Sequence, residues 1–271
     1  MLEHLYNLIL DLLSIQLISL TTLYISTLVK LLALLIFMLR SPEGFPVAHK
    51  NFDEPEMKQS STWRELKSVG FALKSFGSIL RNSSVKLYID NKAVAFITDS
   101  GSSKPHLNSI AKDIFCFTSA HGIGLSVEWI PGTLHQKADY YSKIVDFDDW
   151  CVSNDYFREI DCRWCPFTVD CFASYSNTKL PRFYSCFYSP DTLGVDALSH
   201  RWEGGNCWLV LAVCLVTQVI EHFKLCKCVG ALVVPYWLSA VFWPCIINKD
   251  RSFRSYILDF LCACECIRTY T

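Results

Sequence analysis

Apolar and polar residues alternate from Val85 to Ile89, which reads V-K-L-Y-I. A period of two predicts a strand with one buried face. The strand ends on Asp90-Asn91, and the helical sequence A-V-A-F-I follows almost at once. A carboxylate at a strand end lies at the rim of a sheet, where hard divalent cations are held in phosphoryl chemistry. Taken alone, the stretch favours the simpler interpretation that Asp90 is the N-cap of the next helix.

A helix is predicted before this strand. Apolar residues recur at spacings of three and four from Leu66 to Leu80, which gives one apolar stripe. Thr62 and Glu65 have the T-x-x-E spacing of a capping box at its start.

The pattern continues with a helix after the strand, over residues 107–117 and ending near Gly122. Alternation over Leu125–Ile130 predicts a second strand, and a short last helix begins at Lys137 and carries Asp139. Helix, strand, helix, strand, helix is the order of an α/β unit with parallel neighbouring strands.

The leader, residues 1–40, is rich in leucine. From Leu12 to Val29 there are 18 residues without a charge, long enough for a membrane span. Seven Ser, Thr and Gln residues dilute this run, so a membrane anchor over residues 12–39 and a buried helix pair remain open alternatives. Glu3 and Asp11 disfavour a cleaved signal peptide.

Beyond the first unit, residues 148–250 predict a second α/β unit. Its strands are expected at 167–171 and 230–234, with a helix over 209–223 between them. A cysteine-rich tail, residues 251–271, follows.

The net charge and the cysteine content bear on nucleic-acid binding, on the cellular compartment and on zinc binding. The net charge of −1 gives no global basic field, so any contact with nucleic acid must be local. Many of the 14 cysteines lie in apolar runs, where free Cys acts as a small hydrophobe. This favours a reducing, intracellular compartment, cytoplasm or nucleus, with a membrane location still open. Cys162-x-x-Cys165 has no second pair at the spacing of a zinc site.

Three motifs together resemble the ribonuclease H region of retroelement polyproteins. They are W-R-E-L, Y-I-D-N-K-A-V, and H-Q-K-A-D-Y-Y-S after W-I-P-G. With D-D-W and T-V-D-C-F-A-S-Y-S-N-T-K-L-P-R-F-Y-S, the chain looks like the polyprotein of tyrosine-recombinase (DIRS-type) retrotransposons from about Phe45 to Phe253. In that family, carboxylates from a central strand, the following helix, the fourth strand and a last helix hold two divalent metals that cleave the RNA of a hybrid.

The resemblance implies a site and its partners. Glu65, Asp90 and Asp139 would be the metal-holding catalytic carboxylates, with Mg²⁺ or Mn²⁺ as cofactor and an RNA–DNA hybrid as partner. Lys92 and His106 are candidates for phosphate contacts, but a solvated position is the favoured interpretation for both.

The sequence departs from this family before the helix. The first catalytic Asp should lie on a strand within a glycine-rich hairpin unit, and residues 41–60 are too few for three strands. Asp53 looks like a remnant of the last hairpin strand. We therefore expect an incomplete ribonuclease H-like domain over 41–147, with the leader as a possible remnant of the reverse-transcriptase connection.

The second unit resembles adenine-N6 methyltransferases, with T-V-D-C-F-A-S as the strand that approaches the cofactor and Asp170 at its end. The Asn/Asp-Pro-Pro-aromatic loop of such enzymes is expected near Asn206, where the chain reads N-C-W-L-V.

The sequence thus predicts an α/β protein. An incomplete ribonuclease H-like fold is followed by a degenerate, Rossmann-like methyltransferase-type unit, after a hydrophobic helical leader. The expected function is a retrotransposon-derived nuclease fold, weak or inactive for lack of the first Asp. A non-catalytic nucleic-acid-binding or interaction protein and a membrane-anchored protein are the alternatives.

Overall fold

The computed structural model describes residues 20–27, 32–38, 47–131, 151–164, 166–202 and 204–261. These residues form a mixed α/β structure with two separate main sheets.

The first unit is built on a sheet of five strands, which are β1 (Leu20–Thr27), β2 (Leu32–Met38), β3 (Val47–Asn51), β4 (Ser84–Ile89) and β5 (Gly124–Trp129). Their order in the sheet is β3-β2-β1-β4-β5. The first three form an antiparallel meander, and β4 is parallel to both β1 and β5. The central strand of the sheet is therefore β1.

The two strands β1 and β2 correct the prediction for the leader. Residues 20–27 and 32–38 are strands, so the predicted helical leader is wrong there. An unbroken apolar run has no period that separates a buried strand from a buried helix, and L-T-T-L-Y-I-S-T is rich in β-branched and aromatic residues. Among the described residues, no helix is long and apolar enough to cross a membrane.

The same strands also correct the predicted truncation. The hairpin strands that residues 41–60 could not supply are β1, β2 and β3, which begin well upstream at Leu20. The strand framework of the first unit is present where it was expected to be missing.

Five helices are described in this unit, and the three longest pack against the sheet. The five are α1 (Glu54–Met57), α2 (Ser61–Ser75), α3 (Gly77–Leu80), α4 (Lys92–Ser100) and α5 (Pro105–Ala120). Leu66 and Leu73 of α2 pack with Leu87 of β4 and Ile114 of α5 in one buried core. The alternating burial of β4 confirms its predicted period. The predicted strand before Pro131 and the helix ending near Gly122 are also confirmed.

The second unit has a three-stranded parallel sheet in the order β10-β9-β6. Its elements are α6 (Asn154–Trp164), β6 (Val169–Asp170), β9 (Asn206–Val210), α7 (Val216–Cys226) and β10 (Val229–Val233), with a small pair of β7 (Tyr184–Ser185) and β8 (Gly194–Val195). The prediction of one helix over 209–223 is wrong at its start, because Leu209 and Val210 complete the buried strand β9 and the helix begins at Val216.

A loop of the second unit covers the outer edge of β3. The amide of Tyr188 donates to the carbonyl of Val47 at 2.9 Å. The Tyr188 ring lies 5.1 Å from that of Phe76, centroid to centroid. An edge strand with free hydrogen-bonding groups invites unwanted pairing, and this contact covers it.

Candidate metal centre

Asp90 follows β4 directly, and its side chain is exposed. The N-cap of α4 is Asn91, whose Oδ1 accepts from the amides of Ala93 at 3.0 Å and Val94 at 3.4 Å. The interpretation of Asp90 as the cap is therefore wrong. Its carboxylate stays at the rim of the sheet, free of the capping role.

Glu65 does not belong to a capping box. The N-cap of α2 is Ser60, whose hydroxyl accepts from the amide of Trp63 at 3.2 Å. The helix begins before Thr62, and Glu65 thus falls in the second turn, beyond the reach of the cap. It lies on the packed face of α2 and is only 7% exposed. A carboxylate buried this deeply needs a partner or a proton.

Asn91 connects Glu65 to the strand end that carries Asp90. The side-chain nitrogen of Asn91 donates to Glu65 Oε1 at 3.2 Å. Glu65 Oε2 is buried and has no hydrogen-bond partner among the described residues. Burial raises the pKa of Glu65 from 4.5 to about 7; the Asn91 hydrogen bond and the Arg64 charge lower it, and the negative charge of Asp90 raises it. The charge of Asp90 is therefore near enough to Glu65 to influence its pKa.

Trp129, at the end of β5, fixes the backbone of this strand end. Its indole nitrogen donates to the carbonyl of Asp90 at 2.9 Å. On the face of the same ring lies the ammonium of Lys92, 4.3 Å from the centroid. The sequence reasoning missed Trp129, because its partner is 39 residues away in the chain.

The central strand brings no carboxylate to this rim. In the β1–β4 register Ile25 is beside Ile89, so the next position, Ser26, lies beside Asp90. Between Leu12 and Val47 the sequence has a single acidic residue, Glu43. Asp53 follows β3 but serves as the N-cap of α1, in a capping box with Glu56. Asp53 therefore has a structural role of its own.

Two carboxylates are too few to supply the ligands of a pair of metal ions, so these two can hold at most one hard cation. Glu65 Oε2 is a buried oxygen without a protein partner, and Asp90 adds a second carboxylate nearby. Within the described ranges, however, no group of three or more His, Cys, Asp or Glu could hold a metal ion. Asp139 lies outside the described residues. His106 is exposed at the start of α5.

The candidates of the second unit have local structural partners. Asp170 ends β6 with 3% exposure and accepts from the Lys179 amide at 3.0 Å; burial raises its pKa to about 6. The side-chain nitrogen of Asn206 donates to the backbone carbonyls of Trp164 and Pro166, both at 3.1 Å, and so joins α6 to β9. Cys162 is exposed, and Cys165 lies outside the described residues.

Comparisons with known proteins give the following matches. No protein-family model and no curated protein matches this sequence. Among solved structures, the chain is similar to ribonuclease H1 of the archaeon Halobacterium salinarum, with 11% identity and a TM-score of 0.38 over 45% of this chain and 93% of that one. It is also similar to the N-terminal ribonuclease H domain of rv2228c from Mycobacterium tuberculosis, with 10% identity and a TM-score of 0.37 over 45% and 90%. A third is LC11 ribonuclease H1 in complex with an RNA/DNA hybrid, with 12% identity and a TM-score of 0.34 over 45% and 91%.

Proposed function

We propose that the first unit is a ribonuclease H-like module that binds RNA–DNA hybrids and holds one divalent cation between Glu65 and Asp90, with little or no hydrolysis. The observation that carries the proposal is the hydrogen bond from Asn91, the neighbour of Asp90, to the buried carboxyl of Glu65, while Ser26 is the residue of β1 at the register position next to Asp90. The sequence motifs support a ribonuclease H-like module, and the central strand β1 is where a third carboxylate would be needed.

The residues would act on the cation in different ways. Asp90, exposed at the rim, is a ready oxygen donor. Glu65 must lose its proton first, and its pKa of about 7 makes cation binding compete with that proton. Asn91 holds Oε1 of Glu65 and leaves Oε2 for the ion. When bound, a divalent cation supplies Lewis-acid stabilisation of phosphoryl oxygens.

Catalysis needs more than these two ligands. In a two-metal site a carboxylate shared by both ions fixes their spacing and places the attacking water. Ser26 cannot supply that charge. Asp139, whose position stays a prediction, would complete at most one side of the site. We therefore propose a DIRS-type retroelement ancestry with hybrid binding retained and cleavage largely lost, followed by a methyltransferase-like unit that lacks the proline-containing loop.

A hybrid cleavage assay tests this function. The full chain, incubated with a labelled RNA–DNA hybrid and Mg²⁺ or Mn²⁺, should bind the hybrid and release little or no product. Robust cleavage that disappears in Asp90→Asn would refute the loss of activity. A chain that binds neither hybrid nor cation would refute the nucleic-acid function itself.

A non-catalytic interaction protein is the second candidate. Its contacts with nucleic acid would have to be local, because the net charge of −1 gives no global basic field. Hybrid or single-strand affinity that falls steeply with salt and is unchanged by EDTA would support that candidate over cation-assisted binding.

A further inference from the structure

We infer that Lys92, held over the indole face of Trp129, is a contact for a backbone phosphate of the hybrid beside the carboxylate pair, and that Trp129 is its positioning residue. This inference rests on the proposed hybrid binding. It adds the substrate group that is recognised and the residues that recognise it.

The first step concerns the positive charge of the Lys92 ammonium group and whether a carboxylate neutralises it. Lys92 is exposed, and its Nζ lies 4.3 Å from the Trp129 ring centroid. Within the part of the chain that the structure describes, Lys92 forms no ion pair with a carboxylate. An aromatic face attracts a cation without neutralising it. The charge of Lys92 is therefore oriented and still available to an anion.

The second step is the position of this charge. Lys92 is two residues past Asp90, and the Trp129 nitrogen donates to the Asp90 carbonyl at 2.9 Å. One indole thus fixes both the strand end that carries the carboxylate and the cation beside it. A phosphodiester approaching two carboxylates is repelled unless a fixed positive charge meets it. Lys92 lies where that charge is needed.

The third step removes a competing anion site. Lys92 opens α4, and a helix N-terminus can bind anions through its free amides. Here the amides of Ala93 and Val94 already donate to Asn91 Oδ1. The side chain of Lys92, and not the helix end, is left to contact a phosphate.

The neighbouring surface suits nucleic acid as well. Trp129 is 40% exposed, and Phe96, one turn beyond Lys92 on α4, is 66% exposed. Aromatic side chains next to cations are the usual contacts for sugars and bases along a bound strand. The combination favours a nucleic-acid backbone over a free inorganic anion.

The test is a salt titration of hybrid affinity with the full chain, read by fluorescence anisotropy of a labelled hybrid. Lys92→Gln should weaken binding at low salt about threefold to tenfold and lower the slope of log Kd against log salt by about one. Lys92→Arg should restore both, because an arginine also lies over an indole. Lys249→Gln, the same charge change at an exposed site of the second unit, should change neither.

Variants of Trp129 separate positioning from folding. Trp129→Leu, which removes the ring, should reproduce the loss seen in Lys92→Gln and add nothing to it in the double variant. Trp129→Phe keeps a ring face and should retain most of the slope. Circular dichroism and thermal melts check that each variant is folded.

The outcomes distinguish this inference from the function on which it rests. Hybrid binding by the wild type with an unchanged slope in Lys92→Gln overturns the phosphate contact and leaves the proposed function standing. A lower slope in Lys92→Gln but a normal one in Trp129→Leu overturns the positioning role. Failure of the wild type to bind hybrid overturns both.

Discussion

Asn91 and Glu65, 26 residues apart in the chain, are joined by a hydrogen bond of 3.2 Å from the Asn91 side-chain nitrogen to Glu65 Oε1. The oxygen of the same amide caps α4. One side chain therefore ties the start of α4, the end of β4 and the buried face of α2 together. A side-chain amide carries its donor and its acceptor on different atoms, whereas a carboxylate has no donor and a hydroxyl has one oxygen for both roles, so neither Asp nor Ser can replace it fully.

Asn91→Asp should lower stability in a pH-dependent way. The new carboxylate can still cap α4, but it cannot donate to Glu65 and adds a negative charge next to Glu65 and Asp90. We expect a loss of about 1–3 kcal/mol in the free energy of unfolding near pH 8, measured by urea denaturation. The loss should shrink near pH 5, where a protonated Glu65 can itself donate. Asn91→Ser, which caps without the added charge, should show a smaller loss with a weaker pH dependence of the same sign, because it removes only the hydrogen bond that lowers the pKa of Glu65.

The buried carboxyl of Glu65 should make the protein less stable as pH rises. Its pKa is raised from 4.5 to about 7, so the folded state holds the proton more tightly than the unfolded chain. The contribution of Glu65 to the free energy of unfolding is greatest below about pH 4.5, declines between there and about pH 7, and is constant at higher pH. The total decline is about 3 kcal/mol. Glu65→Gln should remove this decline and be more stable than the wild type near pH 8.

Two controls isolate Glu65 in this measurement. Asp170, whose pKa is raised to about 6, has the same sign of pH dependence, so the comparison must be between variants and not within the wild type alone. Glu159→Gln, at an exposed position of α6, should leave the pH dependence unchanged. A wild type and a Glu65→Gln variant with parallel pH profiles would contradict the assignment of the buried proton to Glu65.

A divalent cation should stabilise the fold only where both carboxylates are present and charged. We expect Mn²⁺ to raise the melting temperature of the wild type near pH 8 and to have little effect near pH 5, where a proton occupies Glu65. Glu65→Gln and Asp90→Asn should each lose the effect. Equal stabilisation of all three proteins would place the cation elsewhere.

The sequence predicted the positions of Asp90 and Glu65 in the secondary structure better than their local contacts. Asp90 at a strand end and Glu65 on the helix before it follow from period and motif. Their predicted roles in helix capping are wrong, because a shift of one or two positions changes the N-cap residue. The N-cap of α2 is Ser60 and not Thr62, and the N-cap of α4 is Asn91 and not Asp90. Such boundaries are the least certain part of a pattern.

In the leader, by contrast, the predicted secondary structure itself is wrong over the described residues. Length and lack of charge suggested helices, but residues 20–27 pair with β4 and become the central strand. The pairing with β4 joins residues 64 positions apart, such as Ile25 and Ile89, and no local period contains that partner. The contact of Trp129 with Asp90 was out of reach for the same reason.

Gly230→Ala should destabilise the second unit strongly. In the register of β9 and β10, Gly230 is beside Cys207, and an added Cβ would lie 2.3 Å from the Cys207 carbonyl oxygen. The backbone of β9 cannot move away without disturbing its pairing with β10, so we expect the free energy of unfolding to fall by more than about 2 kcal/mol, measured by urea denaturation. Gly70→Ala, inside α2 with its nearest neighbour at 3.6 Å, should gain up to about 1 kcal/mol. Equal effects of the two substitutions would argue against this register.

Ser26→Asp tests whether one missing charge separates this site from a working one. The β1–β4 register places position 26 beside Asp90, so an aspartate there adds a third oxygen donor at the rim. A further charge within a few ångströms of a bound cation should raise Mn²⁺ affinity, measured by calorimetry, roughly tenfold or more. Cleavage of a labelled RNA–DNA hybrid should rise with it.

The matched variant for this gain is Ser26→Asn, which has nearly the same size as the aspartate and no charge. It should leave both cation affinity and cleavage at the level of the wild type. The gain from Ser26→Asp should also vanish in the double variant with Asp90→Asn, because a cation shared by β1 and β4 needs both carboxylates. A gain that persists without Asp90 would mean that position 26 binds its cation alone, and the carboxylates of Glu65 and Asp90 would then have no part in a common centre.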